Sequence, residues 1–228
     1  MRINDPRQGS HRDTIAFVRF GPDGSTRDTI GRFPGIEMEQ MTITLGTRTM
    51  SAPSPVPLGR QTASVVSGNR VYVARNEAWQ IEVLGGGGAP TTLIRADVKP
   101  APITEADKAA SRKELARTLE GQPMLRMVPE ALKNQLKQRI ESASYPATHP
   151  FILSLLTDTD GNLWVEEPKP HPDEGRRFAV VDSAGRLLGR VSVPPRFKPA
   201  AITREAVYGV WNDPDDVEHI RGYPIRRP

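Results

Sequence analysis

The sequence predicts an all-β protein carrying one helical pair, and three observations support that reading. Ile15–Phe33, Ile81–Ala96 and Phe178–Val193 each read as a β-pattern run, a Gly-containing tight turn and a second β-pattern run. Gly68–Val73 (GNRVYV) and Gly161–Val165 (GNLWV) repeat a Gly-Asn turn into an aromatic-Val strand ahead of the last two hairpins. Between residues 103 and 145 the apolar spacing switches from two to about four, the period of a helix face. Recurrent units of this kind are the mark of β-propeller blades, which are four-stranded antiparallel sheets. At roughly 40–50 residues per blade, the chain corresponds to a partial β-propeller of roughly three to four blades with a two-helix insertion. The predicted divisions are residues 1–102 (blades, the first part incomplete), 103–145 (helical insertion) and 146–228 (blades).

Taken in order, Ile15–Phe20 and Thr26–Phe33 flank Gly21-Pro22-Asp23-Gly24, where Pro sets φ and Gly supplies a positive one. Met41–Thr49 alternates apolar and polar residues and reads as a half-buried strand. Ser51–Gly59 contains three prolines, which remove ladder donors, and is expected to be an extended linker. Thr62–Val66, Val71–Ala74, Trp79–Leu84 and Thr91–Ala96 read as four successive strands, the last two joined by Gly85–Gly88. Thr104-Glu105-Ala106-Asp107 is a capping box with Asp in the acidic position. It opens a helix with Ala106, Ala110, Leu115 and Leu119 that Gly121 ends. Pro129 begins a second helix, with Leu132, Leu136 and Ile140 on one face. Phe151–Leu156 is an apolar run suited to an inner strand buried on both faces, Leu163–Glu167 follows, and Lys169–Gly175 is a polar, Pro-rich loop. Phe178–Asp182 with Leu187–Val193 forms an outer hairpin, and Ala206–Trp211 with Val217–Tyr223 flanks the turn Asn212–Asp216.

Composition narrows the function classes. The chain has no cysteine, so disulfides and thiolate metal sites are excluded. No stretch approaches the ~18 apolar residues of a membrane helix, and no charged-then-apolar leader is visible. The net charge is +4, but 31 basic residues are interspersed with 27 acidic ones. The densest basic cluster is Arg221, Arg226 and Arg227, so no nucleic-acid partner is expected. Asp158–Asn162 alternates oxygens like a calcium loop, yet Gly161 is fourth and Lys169 twelfth, so an Asp-Gly hairpin turn is expected. His171-Pro172-Asp173 is a chance tripeptide in a loop, and His11, His149 and His219 show no metal or nucleophile spacing. Trp79, Trp164 and Trp211 lie on expected strands as packing aromatics.

Arg60–Pro228 resembles the C-terminal part of bacterial six-bladed β-propeller proteins of the NHL/TolB-like type. The resemblance rests on Gly68–Val73, on Pro150–Val165 and on Val180-Val181-Asp182-Ser183-Ala184-Gly185-Arg186-Leu187, with Phe20–Phe33 extending it. Blade repeats without a nucleophile, base or metal signature point to a non-catalytic protein- or small-molecule-binding module with no cofactor, and the resemblance implies extracytoplasmic residence for the complete protein. Relatives of this fold also include calcium-dependent lactonases and phosphotriesterases, so a tunnel-centred hydrolase using Ca2+ is the alternative. Met1 stands shortly before an outer-type hairpin, so the chain reads as part of a larger propeller, with self-association through an unpaired blade edge expected. In propellers, ligands sit where loops enter and leave the inner strands. Arg60 and His149 precede such strands, and Arg75 and Glu166 follow them at equivalent places, which makes these four the candidate ligand residues.

Overall fold

The computed structural model describes residues 9–45, 47–85, 88–122, 127–169, 171 and 174–226. These residues are mostly strand, in four sheets, with two helices. The chain forms two compact units.

One unit gathers Ala16–Arg32, Thr62–Lys99 and the chain from Pro150 onward. It contains three sheets in sequence order. The first comprises β4 (Ala63–Ser67), β5 (Arg70–Ala74), β6 (Gln80–Leu84) and β7 (Pro90–Arg95). The second comprises β8 (Ser154–Thr157), β9 (Leu163–Glu167), β10 (Arg177–Val181) and β11 (Leu187–Ser192). The third has β12 (Phe197–Ile202), β13 (Ala206–Asn212) and β14 (Glu218–Pro224). Each is an antiparallel meander.

The period of two explains how these sheets stack. Tyr72, Ala74, Ile81, Val83 and Ile94 of the first sheet share one core with Leu155, Leu163, Val165, Ala179 and Val181 of the second. The alternate residues Trp164, Phe178 and Val180 face the other way, into a second core with Val193, Phe197, Ile202 and Val207. The middle sheet is therefore apolar on both faces, which is why FAVV reads as a continuous run. Tyr72 and Trp164 each point onto the following sheet; Tyr208, the matching residue of β13, remains 46% exposed.

The other unit gathers the described residues up to Ile15, Phe33–Gln61 and Pro100–His149. A fourth sheet pairs β1 (His11–Phe20), β2 (Thr26–Leu45) and β3 (Arg48–Pro55) in that order. Here two expectations need correction. Thr26–Phe33 belongs to one continuous 20-residue strand that also takes in Met41–Leu45, while Arg48 and Thr49, the end of the expected strand Met41–Thr49, begin β3. The segment expected as a linker, Ser51–Gly59, instead supplies Ser51–Pro55 to β3, which pairs with β2 from Met38↔Pro55 to Leu45↔Arg48. The Val56 N–H donates to the Glu37 carbonyl at 2.9 Å. By alternation the even-numbered residues face β2, so Pro53 and Pro55 turn their missing donors outward on an edge strand. β12 is a strand beyond those expected; its Pro199 sits at an edge-strand register shift, where a missing donor is tolerated.

The helices are α1 (Glu105–Glu120) and α2 (Glu130–Glu141). The capping box forms: the Asp107 N–H donates to the Thr104 hydroxyl at 3.2 Å, and the Thr104 N–H donates back to Asp107 at 2.8 Å. Gly121 ends α1 without a left-handed turn, at φ −73°. Pro129 is the N-cap of α2, one place earlier than expected. No residue of either helix is fully buried. Leu115, Leu119, Leu136 and Ile140 instead line an open groove of about 250 Å³ with Met41, Pro55 and Pro57. An ion pair between Arg139 and Glu39 borders it.

Candidate ligand site

Two of the four candidate residues stand at one end of the first two sheets in their unit. Arg75 opens the short loop between β5 and β6. Asn76 follows in the left-handed region at φ 66°, which Asn adopts more readily than other non-Gly residues. It is 1% exposed. Its side-chain amide donates to the Ile152 carbonyl at 2.7 Å, and its carbonyl oxygen accepts the Ile152 N–H at 2.8 Å. The next N–H, of Leu153, donates to the Glu166 carbonyl at 2.8 Å. Arg75 and Glu166 are thus joined through a short chain of buried hydrogen bonds.

Both residues belong to braced ion pairs. The Arg75 guanidinium lies 2.7 Å from Glu82 Oε1 and donates to Oε2 at 3.0 Å. Arg176 Nη1 donates to both oxygens of Glu166, at 2.8 and 3.0 Å, and Ser154 donates its hydroxyl to the same carboxylate. The carboxylates are the shielded partners, 13% and 3% exposed, and the arginine side chains are 42% and 37% exposed. Shielded acidic groups therefore hold two arginines at the surface in defined orientations, an arrangement suited to hydrogen-bond acceptors. A cavity of about 140 Å³ opens beside Arg75, walled by Asn76, Glu77, Ala78, Gln80 and Glu82. Sites enclosing drug-sized molecules take roughly 300–1,000 Å³. This cavity suits one polar side chain or head group.

Arg60 and His149 belong to the other unit and serve local structure there. The Arg60 N–H and Nε both donate to Glu37 Oε2, at 3.0 and 3.3 Å, and the Ser10 hydroxyl donates to Oε1 at 2.7 Å. Burial pushes the Glu37 carboxyl up, but the Arg60 N–H, the Ser10 hydroxyl and the Arg60 guanidinium outweigh it. The group sits below its ordinary 4.5. A depressed carboxyl stabilises the fold fully above its unfolded value and loses that contribution as pH falls through the folded one. Glu37→Gln should therefore give a shallower fall in urea midpoint than the native chain between about pH 6 and 3. Equal slopes would remove Glu37 from the acid response.

His149 Nε2 lies 3.3 Å from Asp107 Oδ2, both side chains being 12% exposed. Burial raises Asp107, and the Thr104 hydroxyl, the Thr104 N–H and His149 lower it further than that, to a net depression. The His149 N–H donates to the Ala101 carbonyl at 2.8 Å and the Ile103 N–H to Ala147 at 3.0 Å, closing the neck of the helical segment. His149 thus steadies the N-terminus of α1.

Sequence reasoning missed Asn76, Glu82, Arg176 and Ser154. Asn76 carried a readable signal, a turn-forming residue directly after a strand. The other three become partners only when strands pair. The calcium-like segment is a turn: Asp158 Oδ1 accepts the N–H groups of Asp160 and Asn162 at 3.0 and 2.8 Å, and Oδ2 accepts the Trp164 indole N–H at 3.1 Å. Among the described residues no group of three or more His, Asp or Glu is placed to hold a metal ion. Gly86 and Gly87, and Pro172 and Asp173 of the tripeptide, lie outside the described residues. Scans against protein-family models and curated proteins return no match.

Proposed function

We propose that this chain is a non-catalytic recognition module built from propeller-type blades of the NHL/TolB-like kind, binding a protein or small polar ligand. Three meander sheets succeed one another along the chain with Tyr72, Trp164 and Tyr208 at matching places, which supports the blade reading. The observation that carries recognition is the pair of surface arginines, Arg75 and Arg176, each braced by a shielded carboxylate at linked loop positions. The small polar cavity beside Arg75 favours a protruding side chain of a peptide or protein over an engulfed metabolite. Self-association through an unpaired strand edge and extracytoplasmic residence of the complete protein belong to the same reading. No helix among the described residues is long and apolar enough to cross a membrane.

Thermal melts with calcium, magnesium, zinc and a panel of short acidic and amide-rich peptides test this reading, with lactone and phosphotriester hydrolysis measured in parallel. A bound ligand at 100 times its Kd stabilises by about 2.7 kcal/mol, a readily measured shift. The expected result is a peptide-induced rise that Arg75→Ala abolishes, with no metal-linked rise and no turnover. Stabilisation by calcium together with lactone or phosphotriester turnover overturns it in favour of the hydrolase.

A further inference from the structure

We propose that two copies of this chain join through β14, pairing antiparallel about a two-fold axis at Ile220 to make one continuous six-stranded sheet. The inference rests on the unpaired-edge part of the preceding reading and not on its ligand site. In the first two sheets the third strand, β6 or β10, has a fourth strand, β7 or β11, along its outer edge. Among the described residues the third sheet stops at β14, and Glu218, His219, Ile220, Arg221 and Gly222 are all exposed.

The backbone of β14 shows what fits that edge. The Val217 carbonyl accepts from Asp213, and the Ile225 N–H donates to Glu205. Odd-numbered residues therefore turn toward β13, and Glu218, Ile220, Gly222 and Pro224 direct their backbone groups outward. This outward set is self-complementary about Ile220. Antiparallel pairing puts Ile220 opposite Ile220, and Glu218 opposite Gly222, with each pair exchanging two hydrogen bonds. Pro224, which has no N–H, falls opposite Asp216, whose φ of 61° already takes it out of the strand. The one ladder position without a donor thus lies where no ladder bond is needed. Glu218 meets a glycine and not another Glu218, so the register avoids a facing carboxylate pair.

The side chains point to the same partner. Ile220 is 81% exposed, and its ladder neighbours place it on the face that carries Tyr208 and Val210. Tyr208 lies across Gly222 on that face. Bringing Ile220 against its symmetry mate covers the most exposed aliphatic side chain of the described sheets. The opposite face is already occupied: Arg221 stacks on the Trp211 ring at 3.5 Å, and His219 meets Asp213 at 3.1 Å. Neither has to rearrange.

The absence of cysteine makes the test specific to position, since an introduced thiol reports only on itself. Light scattering on the full chain between roughly 1 and 100 μM should show a dimer. Ile220→Cys should cross-link almost completely under mild oxidation, because facing residues in a hydrogen-bonded pair have Cα atoms about 5.5 Å apart, within disulfide reach. Glu218→Cys should not, because its mate lies four residues away along the facing strand. Ile220→Pro removes the central outward donor and should yield a monomer with an unchanged circular dichroism spectrum. A native chain that is monomeric at the highest concentration overturns the proposal. So does a dimer that Ile220→Pro leaves intact, or one that cross-links at 218 and not at 220. A ligand found at Arg75 has no bearing on these outcomes, so the two readings fail separately.

Discussion

Replacing Asn76 with alanine should lower stability by roughly 3–5 kcal/mol, a large share of the 5–15 kcal/mol typical of a folded domain. The substitution removes a donor to the Ile152 carbonyl and an acceptor for the Ile152 N–H in one step. Ile152 is fully buried, so water does not replace either bond. Stranding a buried polar group costs about 1–3 kcal/mol, and two are stranded. Alanine must also hold the left-handed φ of 66°, at about 1 kcal/mol more. Asn76→Gly separates these contributions: it relieves the backbone but leaves Ile152 unpaired, so it should recover only about 1 kcal/mol of the loss. Urea unfolding at constant m value gives the comparison. A loss below about 1 kcal/mol for Asn76→Ala would mean that the Asn76–Ile152 bridge does not hold the first two sheets together.

Phe178→Ala is expected to cost about 3–5 kcal/mol, the range for truncating a fully buried aromatic. Phe178 is 1% exposed, its ring centroid is 5.9 Å from that of Trp164, and both sit in the core that the second sheet shares with Phe197, Ile202 and Val207. The neighbouring edge provides the control. Leu188 on β11 is 57% exposed, and Leu188→Ala should change stability by no more than about 0.5 kcal/mol. The two substitutions delete apolar side chains from adjacent strands, so their difference measures burial between sheets. Equal effects would show that the third sheet is not packed against the second.

The two largest effects lie at positions of different legibility. Phe178 stands in an apolar run bounded by turn residues, and its burial is readable from that run. Asn76 is visible only as a turn residue; its partner lies 76 positions away, and nothing local to either residue announces the pairing. The candidate ligand residues divide in the same way. Arg75 and Glu166 were identified from their places after Tyr72-Val73 and Trp164-Val165, and the structure links them through Asn76, Ile152 and Leu153. Arg60 and His149 came from the same positional argument, yet their partners are Glu37 and Asp107 in the other unit. A position beside a strand says where a side chain starts, and the carboxylate it meets depends on which strands become neighbours.

Local chemistry was determined by the sequence. Asp158, Asp182 and Asp213 each accept the N–H groups two and four residues on, so the three turns close on their own side chains. The Thr104–Asp107 capping box starts α1 in the same self-contained way, and the period of two sets which residues of β9 and of β10 share a face. These features involve residues a few positions apart, where the chain has little freedom to choose another partner. Tertiary structure decided the rest. It made strands of the proline-bearing segments β3 and β12, because a missing donor is harmless once its neighbour places it on an outer edge. It chose Glu82 and Glu166 as the braces of Arg75 and Arg176. It also left β14 as the outer strand of its sheet, a property of the assembled meander that no residue of β14 carries alone.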